Sequence, residues 1–181
     1  MNDKDNTWVI LLRGINVGGV KVPMADLKKM LEGLGMRQVK TLLASGNVIV
    51  DADLSDAAEV KRIVEEALAT TFGRPISVIV RHFAGIQQMV AADPFAGIAV
   101  TKDTRLYVSF LGAAAKAGIP VPHTTENGSF AILAREGDAL FSVLDLAEIG
   151  TVDAMAIIEK AWGKDVTTRN WNTVEKIAAA R

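Results

Sequence analysis

The chain has 181 residues, no cysteine, and a nearly even balance of 20 basic and 21 acidic side chains. The lack of cysteine excludes disulfides and thiolate nucleophiles, and no motif indicates a metal site or a cofactor. The balanced charge argues against a strong attraction to nucleic acid or anionic lipid. The start of the chain is polar and no apolar run reaches the roughly 18 residues that span a bilayer, so we expect a cytoplasmic protein with no membrane contact.

The first half of the chain predicts the order β-α-β-β-α-β. An apolar strand at Trp8–Arg13 leads into a glycine-rich turn, and leucines at helical spacing after Pro23 predict the first helix, with Pro23 as its first residue. Two short strands flank Ser45-Gly46, a pattern typical of a hairpin. Asp56 is expected to cap a second helix that ends at Gly73, and a β-branched strand follows.

The second half predicts a similar order. A strand at Leu106–Leu111 precedes Ala113–Ala117, which is a short helix at best, and two strands then pair around Glu136–Asp138. Asp153 is expected to cap the next long helix. This helix ends in Trp162-Gly163-Lys164, much as the second helix of the first half ends in Phe72-Gly73-Arg74, which suggests a duplicated unit.

These patterns predict an α+β fold with two tandem ferredoxin-like (β-α-β-β-α-β) lobes. The first lobe, with a linking helix, covers residues 1–92, and the second covers residues 93–181. Apolar spacing predicts the extra helices, one near Phe83 and the last at the C-terminus, beginning near Trp171.

The segment RGINVGG carries the first candidate site residues: Arg13, Gly14, Asn16, Gly18 and Gly19. A glycine-rich loop that leads into a helix can present backbone N–H groups to an anion. The spacing resembles a Walker A loop, but Val20 and Val22 stand where lysine and a magnesium-binding hydroxyl are required. The alternative is a turn whose glycines only supply positive φ angles.

The segment TTRNWNT carries the other candidates, Arg169 and Asn170. Asn170 or Thr168 could cap the last helix, so that Arg169 and the first N–H groups of the helix point the same way toward a phosphate or carboxylate. An ordinary ion pair for Arg169 is the alternative. Ser45 and Asn47 are turn residues that could complete a site or serve only their own turn.

RGINVGG with the following VPMADL, then ASGNVIV, then TTRNWNT resemble the uncharacterised bacterial family known as domain of unknown function 1697. The resemblance covers nearly the whole chain and implies a tandem of two ferredoxin-like α+β lobes. It implies no activity, because the family has none assigned.

The preferred hypothesis is a small anionic ligand, bearing phosphate or carboxylate, bound between the lobes. No nucleophile or metal site is evident, so any chemistry would be general acid–base or positional. One alternative is a single-stranded nucleic-acid module, although the net charge of −1 makes nucleic acid an improbable partner. Another is a protein-interaction or oligomeric role without catalysis. For the nucleic-acid module, stacking side chains would come from the aromatic residues of the strands: Trp8, Tyr107, Phe110, Phe130 and Phe141.

Overall fold

The computed structural model describes residues 6–16 and 18–181. Over these residues the chain is an α+β protein with two antiparallel sheets and five helices, which confirms the predicted class. It divides into two compact units, one formed by Met1–Ala91 with Ile177–Arg181 and the other by Ala92–Lys176. Val17 of the RGINVGG segment and the first five residues lie outside the described residues.

The first unit has the order of elements that the sequence predicts. Its elements are β1 (Thr7–Leu12), α1 (Met24–Gly33), β2 (Arg37–Leu42), β3 (Asn47–Asp51), α2 (Ala57–Phe72) and β4 (Val78–His82), and the linking helix α3 (Phe83–Ala92) follows. The sheet order is β2-β3-β1-β4, and every neighbouring pair is antiparallel.

The core of this unit lies between the sheet and its two helices. Because side chains alternate along a strand, Trp8, Ile10 and Leu12 of β1 share one face and belong to one buried cluster. The helices meet this face with residues at helical spacing, since α1 buries Leu27 and Leu31. The α2 helix buries Val60, Val64 and Leu68.

The ends of the two helices show how closely local sequence decides structure. The Asp56 side chain accepts a hydrogen bond from the backbone N–H of Ala58, and Gly73 ends α2 in the left-handed region with φ +70°, so both predictions hold. The first helix begins one residue later than predicted, at Met24, so Pro23 precedes the helix. It is the N-cap of α1, and its carbonyl accepts the N–H of Leu27 over 3.0 Å.

The second unit is built on a five-stranded sheet. Its elements are β5 (Thr104–Leu111), β6 (His123–Thr124), β7 (Phe130–Glu136), β8 (Ala139–Asp145), α4 (Thr151–Trp162), β9 (Val166–Asn170) and α5 (Trp171–Ala178). The sheet order is β6-β7-β8-β5-β9. Apart from the two-residue β6, the order β7-β8-β5-β9 repeats that of the first sheet.

The second unit differs from the predicted order between β5 and β7, where no helix forms and the two-residue strand β6 is added. The segment after β5 instead docks on the end of α4: the N–H of Ala114 donates to the Asp165 carboxylate over 2.9 Å. The N–H of Lys116 donates to the carbonyl of Trp162 over 2.8 Å. These bonds to distant residues satisfy two backbone N–H groups that a helix would otherwise satisfy.

The start of α4 also differs from the prediction. Gly150 occupies the N-cap position, and Asp153 lies inside the first turn of the helix. The predicted cap at Asp153 is therefore wrong. A carboxylate in the first turn still interacts favourably with the helix dipole, which explains why the sequence pattern resembles a cap.

The last residues of the first unit are fixed to three strands of its sheet, β1, β2 and β3. The Arg181 guanidinium donates to the Asp51 carboxylate over 2.6 Å, and the Thr7 hydroxyl donates to the same oxygen over 2.7 Å. The Lys40 ammonium donates to the carbonyl of Ala180 over 2.8 Å. Burial alone would raise the pKa of the Asp51 carboxyl. The hydrogen bonds from Arg181 and Thr7 and the nearby arginine charges outweigh this effect, so the pKa lies below its usual value.

Replacing Asp51 by asparagine should lower the free energy of unfolding by about 1 kcal/mol at neutral pH. A carboxyl whose pKa is depressed in the folded state stabilises it above the unfolded pKa, about 3.9, and loses this effect as pH falls through the folded value. The difference in free energy of unfolding between the wild type and Asp51→Asn should therefore be smaller in acid. Urea unfolding at pH 7 and pH 3 measures this difference. Arg181→Met should reduce the difference in the same way, and a difference equal at both pH values would contradict the assignment.

Candidate functional site

The RGINVGG segment forms the loop between β1 and α1, and two apolar side chains anchor it. Ile15 and Val22 are 5% and 1% exposed and belong to the core cluster of the first unit. The backbone N–H of Arg13 donates to the carbonyl of Ser77 over 3.0 Å, which ties the start of the loop to the residue before β4. The loop therefore has a fixed position at one end of the first sheet.

Asn16 braces the loop with its side chain. Its amide group donates to the carbonyl of Ala44 over 2.6 Å and to that of Val22 over 3.3 Å, and its Oδ1 accepts the N–H of Val22 over 3.0 Å. The backbone of Asn16 has φ +56°, a region that asparagine enters more readily than most residues. Asn16 thus joins the two ends of the loop and links the loop to the hairpin between β2 and β3.

The turn residues of that hairpin have structural roles. Asn47 is fully buried, and its amide donates to the carbonyl of Leu42 over 2.9 Å and to Ser45 Oγ over 3.0 Å. Gly46 has φ +78°, and a Cβ added there would lie 2.5 Å from Cδ1 of Ile15. The hairpin and the loop are therefore packed directly against each other.

A depression of about 350 Å³ lies beside the loop, lined by Asn16, Gly19, Val20, Lys21, Val22 and Pro23. The backbone around it is open: a Cβ added at Gly14, Gly18 or Gly19 would meet no described atom within 4 Å. Lys21 is exposed at the edge of the depression, and the α1 helix begins immediately after Pro23. A cation, accessible backbone and the start of a helix are features that suit an anionic group.

Lys21 was missed by the sequence reasoning, although a signal for it exists. Val20 was noted at the position of a Walker lysine, and the lysine stands one residue later, between two valines. Because Val22 is buried, its neighbour Lys21 must project away from the core. The alternation of apolar and cationic residues could have placed Lys21 in the candidate site.

Arg169 lies in the second unit, on β9, and is only 8% exposed. Its guanidinium donates to Thr167 Oγ1 over 2.9 Å and to the carbonyl of Thr168 over 3.0 Å, so it bonds to its own strand. Burial lowers the pKa of Arg169 to about 10, which still leaves it a cation at neutral pH.

Asn170 is the N-cap of α5, as the sequence predicts. Its Oδ1 accepts the N–H of Thr173 over 2.9 Å and the hydroxyl of Thr173 over 2.7 Å. Thr168 does not cap the helix, because its hydroxyl pairs with that of Ser109 over 2.7 Å. Trp171 is 7% exposed and packs edge-on against Phe95, which fits a core residue.

The structure therefore brings together the candidates of the first unit, since the loop and the hairpin touch through Asn16 and Gly46. Arg169 and Asn170 belong to the second unit, and their convergence with Arg13 stays a prediction. Among residues 6–16 and 18–181, no group of three histidine, aspartate or glutamate side chains could hold a metal ion. No helix of this described part combines the length and apolar character needed to cross a membrane.

The fold and the site define an α+β protein with two antiparallel sheets and a glycine-rich loop after its first strand. The chain belongs to the family described as protein of unknown function DUF1697, whose model matches residues 6–128. The resemblance drawn from the sequence is thus confirmed. The matched range contains the loop and the hairpin and ends before Arg169.

The chain is also similar to a solved structure, that of a conserved bacterial protein from Streptococcus pneumoniae. The two share 20% sequence identity and a TM-score of 0.72, over 96% of this chain and 97% of the other. At this identity the likeness concerns the fold alone. No curated protein matches the chain.

Proposed function

We propose that the protein binds a small anionic ligand, bearing phosphate or carboxylate, at the depression lined by Asn16 and residues 19–23. The observation that carries the proposal is the cavity of about 350 Å³ lined by Gly19, Val20 and Lys21. Its lysine supplies positive charge, and the open glycine backbone lets an anion approach main-chain N–H groups closely.

The bracing of the loop supports the proposal. Asn16 makes three hydrogen bonds that fix the loop, and Ile15 and Val22 fill the core beneath it. A binding surface that is ordered before the ligand arrives loses less entropy on binding. Arg13 stands at the start of the same loop and is partly exposed, so it is a second cation to test for a role in binding.

The nucleic-acid alternative receives less support. Of the strand aromatic residues that could stack on bases, Trp8, Phe110, Phe130 and Phe141 are 0–1% exposed and belong to the core. Side chains buried to this degree offer no platform to a base. No observation specifically favours the protein-interaction role.

A thermal-shift panel tests the proposal with inorganic phosphate, sulfate, acetate and citrate. A ligand at 100 times its dissociation constant adds about 2.7 kcal/mol of stability, which corresponds to a rise in Tm of roughly 5–11 °C for a chain of this length. We expect the shift with phosphate or a carboxylate in the wild type, and its loss in Lys21→Ala and Arg13→Ala. Lys102→Ala, which removes an exposed cation of the second unit, should keep the shift.

A flat panel with folded protein would refute the proposal. Arg169→Met belongs in the same panel, because it tests the predicted convergence of the two segments. Loss of the shift in this variant, with the fold intact, would support a ligand that reaches both arginines. A shift retained in Arg169→Met and lost in Lys21→Ala would restrict the site to the first unit.

We also infer that the two units are ferredoxin-like lobes related by duplication. The support is the strand order, since β2-β3-β1-β4 and β7-β8-β5-β9 have the same arrangement. The second lobe would then have lost its first crossover helix, replaced by the segment that docks on Trp162 and Asp165. A cytoplasmic location remains part of the proposal and rests on the sequence alone.

A further inference from the structure

We propose that the anion depression is one half of a larger site whose ligand is an organic anion with an apolar body, such as an aryl or alkyl phosphate or carboxylate. This inference rests on the proposed function. It names the class of ligand by adding a second subsite, a groove between α1 and α2, to the depression beside the loop.

The groove adjoins the depression. It is lined by Pro23, Asp26, Lys29, Met30, Thr71 and Phe72 and has a volume of about 420 Å³. Pro23 also lines the depression of about 350 Å³, so the two cavities are neighbours on either side of this residue. Ligand pockets of proteins typically measure roughly 300–1,000 Å³, and a ligand that extends past Pro23 could use both cavities.

The floor of the groove is apolar. Met30 and Phe72 are only partly buried, and both pack with their inner sides against the core cluster of the first unit. Their remaining surface lines the groove. Val20 is likewise partly buried against this cluster and lines the depression. An apolar ligand body placed there would remove this exposed hydrocarbon surface from water.

The charged residues that line the two cavities favour one orientation of the bound ligand. The depression holds Lys21, whereas the groove holds Asp26 as well as Lys29, so an anionic group is favoured most at the Lys21 end. Lys29 and Met30 lie three and four residues after Asp26 on α1, so both are neighbours of Asp26 on the helix surface. The expected pose has the anionic group over the loop and the apolar body over Met30 and Phe72.

Calorimetric titration with inorganic phosphate and with phenyl phosphate tests the inference. The wild type should bind phenyl phosphate about tenfold more tightly than inorganic phosphate, because the ring gains the groove. Phe72→Ala should abolish this tenfold advantage and leave the affinity for inorganic phosphate unchanged. Met30→Gln should reduce the advantage less than Phe72→Ala does. This variant makes the groove more polar without removing a large side chain. Val100→Ala, which shortens an apolar side chain of the second unit that is 64% exposed, should change neither affinity.

The possible outcomes distinguish failure of the extended site from failure of the proposed anion-binding function. Equal affinities for the two phosphates in the wild type would overturn the extended site while the anion site stands. An advantage that survives both Phe72→Ala and Met30→Gln would overturn it as well. Binding of neither ligand would overturn the proposed function together with its extension.

Discussion

Replacing Gly46 by alanine is expected to lower the free energy of unfolding by about 2–5 kcal/mol. A Cβ at this position would lie 2.5 Å from Cδ1 of Ile15 and 2.9 Å from Cβ of Leu12, distances that real Cβ atoms essentially never show. Overpacking of this kind costs about 1–3 kcal/mol, and the left-handed backbone with φ +78° adds about 1–2 kcal/mol for a residue with a side chain. Urea unfolding of the wild type and the variant measures the difference.

Gly18→Ala is the matched control for this substitution. Gly18 also has a positive φ, +58°, but a Cβ there would meet no described atom within 4 Å. Only the backbone cost applies, so we expect a loss of about 1–2 kcal/mol. Equal losses in the two variants would show that the contact between Gly46 and Ile15 does not constrain the hairpin.

Truncating Trp162 to alanine should have the largest effect in the second unit, about 3–5 kcal/mol. Trp162 is fully buried in the cluster formed with Ile158, Phe130 and Leu140. The segment after β5 lies directly on its ring, since a Cβ at Gly118 would come within 2.1 Å of the indole nitrogen. Removing the ring would leave both the sheet and this segment without their common packing partner.

Trp162→Phe should cost much less, about 1 kcal/mol. The indole N–H of Trp162 is buried and has no hydrogen-bond partner among the described residues. Leaving such a donor unsatisfied costs roughly 1–3 kcal/mol, and phenylalanine removes it while losing part of the ring. A loss in Trp162→Phe as large as in Trp162→Ala would indicate that the N–H makes a stabilising bond, for example to a buried water. Guanidinium unfolding of both variants measures the two losses.

Local signals in the sequence were sufficient to predict the first unit. The Asp56 cap and the Gly73 stop depend on residues within one helical turn, so pattern and structure agree. The segment after β5 is different, because its conformation depends on hydrogen bonds to Trp162 and Asp165, about 50 residues away. No local pattern at Ala113–Ala117 carries that information, and the helix considered there does not form.

The same distinction applies to the candidate site. The sequence identified Asn16, Ser45 and Asn47 as turn residues, but the hydrogen bond from Asn16 to the carbonyl of Ala44 depends on the pairing of β1 with β3, which brings the loop beside the hairpin. The sequence predicts Arg169 as a cation of the candidate site. Its burial and its bonds to Thr167 and Thr168 could not be read, because they depend on what covers β9 in the folded chain.

The bracing of the loop by Asn16 also bears on how the site could discriminate among ligands. Because Asn16, Ile15 and Val22 hold the loop to the hairpin and the core, we expect its described residues to move little when a ligand binds. Its conformational entropy is lost during folding, before any encounter with a ligand. Selection at the proposed site would act through fit: the anionic group of the ligand has to match the concavity beside the loop, and any larger part of the ligand has to lie outside it.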